Sequence, residues 1–349
     1  HIGRCPRFAD YVNQTYAPWL ATSDKSPATK ASEMVHLRRW SASIVGSLHL
    51  DKIRAYHING QLQKLNEQGK AIRTCKIAVI VLRNVLNKAI DDDYIKTLPI
   101  GRLKWQKGKT KARTLYTHQD IDLFCRGALV ASKNGVEFTD YLRLLALCGA
   151  REKEMLRVRW ADVDFKRRLL TIGADANTKN REPRCVDMSP ALEAHLRDMA
   201  SRRAPDSQWL FPSPQRGERD ERSKTFRESL LLTRAVSGHV CRGCQHIIPG
   251  KEPFTACTSC GSANLEAKEH VLPDNLQRIG FHDLRHHFIS YAVMSGIDFM
   301  TIARWVGHKD GGILIGKVYG HLSNEHAQAQ AARLRFGPTI LPFAQEGTV

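Results

Sequence analysis

Acid is what this sequence is short of. Against 53 Lys and Arg stand 35 Asp and Glu, a formal net charge of +18 over 349 residues. A surplus of that size favours a polyanionic partner, most often nucleic acid, because each phosphate contact releases condensed counterions. Long apolar runs are missing as well. No stretch approaches the roughly 18 residues of a spanning helix, so no membrane partner is expected. No charged–apolar–small pattern opens the chain, so a secretory leader is not expected either. There is no internal repeat, which argues against a solenoid, and no low-complexity tract. What remains is ordinary globular material, 42% apolar and 25% charged, long enough for two domains with separate cores.

Five of the nine cysteines (Cys5, Cys75, Cys125, Cys148 and Cys185) are scattered among helical or strand-like patterns. That is the usage of a reducing compartment, where cysteine serves as a small apolar residue. The other four form Cys241-x2-Cys244-x12-Cys257-x2-Cys260. Two such knuckles can complete a tetrahedral thiolate site for a structural zinc, with no open position for catalysis. A pair of disulfides is the alternative. His246 and His270 stand nearby as substitute ligands that a four-cysteine site does not need.

Residues 1–103 read as helical throughout. RFADYVNQTYAPWLA, ASEMVHLRRWSASIVG and AIRTCKIAVIVLRNVLNKAIDDDYI all place apolar residues at three- and four-residue spacing. Gly46, Gly60 and Gly69 cut the region into four or five helices. Residues 104–115 are basic and without apolar period, as expected of an extended linker. A second domain, 116–349, opens where Thr117 can cap a helix across THQD. Two strand-like runs, LLTIG and RCVDM, flank a polar turn and predict a hairpin. WLFPS and KTFRESLLLTRAV precede the cysteines; FHDLRHHFISYAVMSG, DFMTIARWVGH and a polar helix in SNEHAQAQAARLR follow them. The fold class expected is mainly α with a small β-hairpin or sheet (α+β).

Candidate chemistry flanks the cysteines. Arg151 follows a Gly-Ala turn at the start of a helix. His282 and Arg285 are three apart and share a helical face. Asp298 can cap the next helix and Gly307 can end it, leaving His308 just beyond, and Tyr319 lies eleven residues further on. Guanidinium groups grip phosphate oxygens bidentately and hold the charge of a pentacoordinate phosphorane. Two arginines, two histidines and a tyrosine at helix ends are therefore a plausible phosphodiester site.

In this order the motifs resemble the tyrosine recombinases, the phage integrase family. GAREKEMLRVRWADVDF is similar to the family's first arginine box, HDLRH to its second, WVGH to its Gly-His and VYGHL to its nucleophile box. Lys179 in NTKN matches the hairpin lysine, and WLFPS is a further landmark. The resemblance covers about residues 115–335. It implies a tyrosine-recombinase catalytic domain over 116–349, preceded by a SAM-like core-binding domain that joins it in a clamp on duplex DNA. It implies that Tyr319 attacks the scissile phosphate, giving a 3′-phosphotyrosyl bond and a free 5′-hydroxyl. Arg151 and Arg285 would clamp the phosphate, and Lys179 would protonate the leaving oxygen. His282 would take the tyrosine proton or position the phosphate, His308 would bind a non-bridging oxygen, and Glu154 would support Arg151. Neither a catalytic metal nor ATP is implied, since the covalent intermediate conserves the phosphodiester energy.

Two features depart from the family's pattern. KDGGILIGKV, between His308 and Tyr319, is about two residues longer than usual, and a zinc-ribbon-like module at about 238–275 interrupts the usual short connection before HDLRH. Its Arg242, Lys251 and Lys268 are candidates to touch DNA or a neighbouring protomer. The resemblance further implies a homotetramer on double-stranded DNA, monomeric when free, with the tail beyond Tyr319 docking on a neighbour. The expected setting is cytoplasmic, bacterial or phage-encoded and nucleoid-associated. The resulting expectation is a site-specific recombinase that integrates or excises a mobile element. The alternatives are a non-catalytic zinc-dependent DNA-binding regulator and a type IB topoisomerase-like enzyme.

Overall fold

In the computed structural model the chain forms two compact units, His1–Ala112 and Arg113–Val349. Residues 5–101, 103, 105, 114–174, 182–213 and 224–320 are described here. Lys179 falls outside the described residues, as do most of the basic linker and the SNEHAQAQAARLR segment.

The first unit is helical: α1 (Phe8–Tyr11), α2 (Ala17–Thr22), α3 (Pro27–Ser41), α4 (Ile44–Ser47), α5 (Ala55–Glu67) and α6 (Ile72–Asp91). A π-helical turn, Val12–Tyr16, joins α1 to α2. In α6, Cys75, Ala78, Val79, Leu82, Val85, Leu86 and Ala89 recur at helical spacing and are buried. Burying such a stripe is what makes the helix stable. Two polar side chains caught in this core find partners. Trp40 donates its indole N–H to the Ala78 carbonyl at 2.8 Å. Tyr16 donates to Glu33 at 2.6 Å, which also pairs with Lys25 at 2.7 Å.

The second unit opens with α7 (His118–Ala131) and α8 (Gly135–Cys148). Thr117 caps α7 as expected, in a reciprocal box with Asp120. Next come the short α9 (Glu152–Met155), strands β1 (Val163–Asp164), β2 (Leu169–Ile172) and β3 (Arg184–Asp187), then α10 (Pro190–Arg202) and α11 (Lys224–Arg234). The expected hairpin is β2–β3, antiparallel with Leu170 opposite Val186 and Ile172 opposite Arg184. A third strand, β1, adds to its other side. WLFPS earns its place in the core: Leu210 donates its N–H to the Val158 carbonyl, and Phe211 stacks edge-on against Tyr141 at 5.3 Å.

The cysteines lie on a second small sheet, β4 (Gly238–Cys241), β5 (Ile247–Pro249) and β6 (Leu265–Lys268), with β4 central. At its neck the Val271 N–H donates to the Val236 carbonyl at 2.9 Å, so entry and exit lie side by side. The final described elements are α12 (Phe281–Met294), α13 (Phe299–Val306) and α14 (Ile313–Tyr319). Ile289, Val293, Ile302, Val306 and Ile315 form a separate apolar cluster that Tyr319 enters. Asp298 caps α13, and Gly307 ends it in the left-handed conformation, both as expected. Among the described residues no helix is long and apolar enough to cross a membrane. The α+β expectation, mainly helical with small sheets, is the architecture observed.

Candidate active site

Two helix C-termini converge on Arg285. Helix α8 ends at Gly149, whose φ of +64° is left-handed; a Cβ there would lie 2.4 Å from the Phe288 ring, so only glycine fits. The Gly149 carbonyl accepts from Arg285 Nη1 at 2.7 Å. From the other side, the Val306 carbonyl at the end of α13 accepts from Arg285 Nη2 at 2.6 Å. Terminal helix carbonyls lack intrahelical partners and carry partial negative charge, so a guanidinium is their natural complement. Arg285 is only 2% exposed. Burial, with Arg151 and Arg184 nearby, lowers its pKa to about 9.

Arg151 and Glu154 form the second part. Arg151 is the N-cap of α9, and Tyr141 anchors that turn by donating to the Glu152 carbonyl at 2.9 Å. Arg151 Nη1 meets Glu154 Oε1 at 2.7 Å. The other carboxylate oxygen receives Arg184 Nη2 at 2.6 Å, from β3. Although burial opposes its ionisation, these ion pairs, Arg184 foremost, hold the Glu154 carboxyl at about 2. Arg184 Nε in turn donates to the Trp305 carbonyl at 2.7 Å. One acid thus spaces two arginines, and one arginine ties the hairpin to the end of α13.

His308 lies just beyond α13. Its Nε2 is 3.1 Å from Arg285 Nη2. A guanidinium can only donate, so Nε2 accepts and the ring proton sits on Nδ1. Burial and the adjacent Arg285 lower the His308 pKa and keep the ring neutral. Nδ1 is buried without a hydrogen-bond partner among the described residues. Arg151, Arg184, Arg304, His308 and Lys309, with Glu182 among them, line a cavity of about 170 Å³. Its chemistry is that of an anion site.

Tyr319, the last residue of α14, is 6% exposed. Its helix packs against α12 and α13. Its hydroxyl contacts Nδ1 of His286. His282 is exposed one turn earlier on α12, its ring edge-on to that of His286 at 4.5 Å. The structure therefore brings Arg151, Glu154, Arg285 and His308 together, with Tyr319 meeting α12 at His286 and His282 exposed one turn earlier.

Residues 110–245 match the model of the phage integrase family. A "tyrosine recombinase XerC-like" protein of Caldanaerobacter subterraneus subsp. tengcongensis is 22% identical over 317 residues, covering 85% of this chain and 75% of the relative. Among solved structures, a lambda integrase dimer bound to a COC′ core site superposes with a TM-score of 0.62 at 14% identity, over 89% of this chain and 76% of the other. The Tn1549 transposon integrase bound to transposon right end DNA gives 0.61 at 15% identity, over 94% and 98%.

The family match stops inside the cysteine module. There the Sγ atoms of Cys241 and Cys260 are 3.6 Å apart, as are those of Cys244 and Cys257. All four sulfurs lie within 4.8 Å of one another, and none is in a disulfide. Tetrahedral zinc with Zn–S of about 2.3 Å requires sulfurs about 3.8 Å apart, so the set fits that ion. The two knuckles repeat one geometry. Gln245 and Gly261 each donate an N–H to the carbonyl of the first cysteine of their pair, Cys241 or Cys257, at 2.8 Å. Both adopt positive φ, 60° and 72°. Amides of Cys244 and Gly243 lower the Cys241 thiol to about 6, favouring thiolate. Arg242, a candidate DNA contact, pairs with Glu266 at 3.4 Å.

Sequence reasoning missed Arg184 and His286. Arg184 shares the inward parity of β3 with buried Val186, a placement that period-2 alternation could have exposed. His286 is one turn beyond His282, a spacing that sets them on one face. His287, its neighbour, is buried with Nδ1 2.8 Å from the Tyr116 carbonyl. Tyr291, further along α12, is half-buried with its ring 3.9 Å from that of His118.

The Glu154 ion pairs make a pH prediction. A carboxyl depressed in the fold stabilises it above its unfolded pKa, about 4.3, and loses that contribution as pH falls towards 2. Glu154→Gln should destabilise by about 2 kcal/mol at pH 7. In thermal melts followed by circular dichroism, the deficit in Tm should narrow as pH falls below that unfolded value.

Proposed function

We propose that the chain is a site-specific DNA recombinase that cleaves and rejoins double-stranded DNA through Tyr319 and thereby integrates or excises a mobile element. The observation that carries this reading is the grouping of Arg151, Arg184, Arg285 and neutral His308 around the ends of α8 and α13, with the Tyr319 hydroxyl on His286, the residue after Arg285. A phosphodiester supplies the negative charge that the site lacks, and its transition state carries more. Tyr319 Oη attacks phosphorus and the P–O5′ bond breaks, leaving a 3′-phosphotyrosyl bond. Arg151 and Arg285 hold the non-bridging oxygens, His308 donates its free ring N–H to one of them, and Glu154 keeps Arg151 in place. Lys179 is assigned protonation of the leaving 5′-oxygen, and His282 stands where it can position the phosphate. An incoming 5′-hydroxyl reverses the step without ATP or a catalytic metal.

The helical first unit takes the role of core-binding domain. The working assembly is a tetramer on DNA, as in the lambda integrase tetramer bound to a Holliday junction, and the setting is the DNA of a bacterial cytoplasm. The four cysteines hold a structural zinc that staples two short strand turns with little core of their own.

A nicked suicide DNA site tests the chemistry: wild type should accumulate a covalent adduct, and Tyr319→Phe should form none. An adduct at wild-type level from Tyr319→Phe contradicts the assignment; DNA binding without any cleavage by wild type favours a regulator. For the module, elemental analysis should find close to one zinc per chain, lost on Cys257→Ser. Absence of zinc from freshly purified protein contradicts that part.

A further inference from the structure

The residue in contact with the Tyr319 hydroxyl is His286, and the family boxes read from the sequence gave it no role. We propose that His286 is a catalytic residue, the base that takes the Tyr319 proton as the tyrosine attacks; this deepens the recombinase reading and rests on it.

The geometry separates the three histidines of HDLRHH. His287 is committed to the Tyr116 carbonyl in the core. His282 is exposed, ring-to-ring with His286. His286 is half-buried between them, with Nδ1 on the reacting oxygen. In the tautomer protonated at Nε2 the phenol donates this hydrogen bond, and Nδ1 directs its lone pair at the proton that must leave. Arg285, the preceding residue, is locked by the Gly149 and Val306 carbonyls and by His308. That clamp fixes the α12 backbone from which His286 projects, so base and phosphate clamp share one rigid turn. On the other side Tyr319 is held by its ring in the apolar cluster of α12, α13 and α14. Neither partner needs to move to form the bond.

The step balances. The Oη–P bond forms as the P–O5′ bond breaks, and the phenolic proton passes to His286 Nδ1. The electron pair of the broken bond leaves on O5′, which takes a proton from the general acid. In the return step the incoming 5′-hydroxyl gives its proton back to the conjugate base of that general acid as O5′–P forms and Oη–P breaks, and the His286 imidazolium returns its proton to Tyr319 Oη. His282, exposed beside His286, offers that imidazolium an exchange route to water.

Single-turnover cleavage of a nicked suicide site by His286→Asn tests the proposal. The asparagine amide reaches the place of Nδ1 and keeps a hydrogen bond, but it cannot accept a proton. The rate should fall about 100-fold with DNA binding unchanged. A 5′-bridging sulfur in the leaving group, which needs no general acid, should leave that deficit in place. His286→Gln, as a second variant, should behave alike, and thermal melts establish that each folds. Wild-type rates from both variants overturn the proposal, and so does restoration of His286→Asn by the sulfur substrate, which would make the residue an acid. An adduct formed by Tyr319→Phe is a different failure, that of the nucleophile assignment itself.

Discussion

The second unit is organised around the buried guanidinium of Arg285. Three of its contacts come from two segments far apart in sequence: the Gly149 turn after α8, and the end of α13 with the Val306 carbonyl and His308. Each would be costly to bury alone. An arginine without counter-charge resists desolvation, and terminal carbonyls without donors forfeit their hydrogen bonds. Together they satisfy one another, and the first arginine box, the second box and the Gly-His are brought to one place. Arg184 repeats the device one residue earlier on α13, at Trp305, and adds the hairpin to the assembly.

This solution leaves a surplus. Three guanidiniums lie close together with Glu154 as the acid bonded to two of them, and the Arg285 pKa is pulled down to about 9 by burial and by its neighbours. The site is thus electrostatically unfinished without an anion, and the neutral His308 holds a buried N–H with no acceptor among the described residues. A phosphodiester relieves both conditions. Preorganisation of this kind stabilises a transition state because the cost of orienting the donors is met in folding.

Much of this was legible in the sequence where the determinant is local. Caps and stops (Thr117, Asp298, Gly307), the apolar stripe of α6, the β2–β3 hairpin and the spacing of the cysteine knuckles all depend on residues within a few positions of one another. The box residues were legible through motif order. Arg184 was not, because its partners, Glu154 and Trp305, are 30 and 121 residues away. His286 was hidden for a related reason. Which histidine of HDLRHH meets Tyr319 depends on how α14 returns to α12 across 33 residues. The short β1 strand likewise has no periodic signal in two residues.

The cysteine module belongs to neither category. Its fold is set locally by two matching knuckles, and its closed neck inserts it between the hairpin and α12 without displacing any member of the arginine cluster. The chemistry therefore stands or falls on Tyr319. The most direct measurement is mass spectrometry of the protease-digested covalent adduct, which locates the nucleotide-bearing side chain. The account predicts the modified peptide to carry its nucleotide on Tyr319. A nucleotide on Tyr291, or on any other residue, would contradict it.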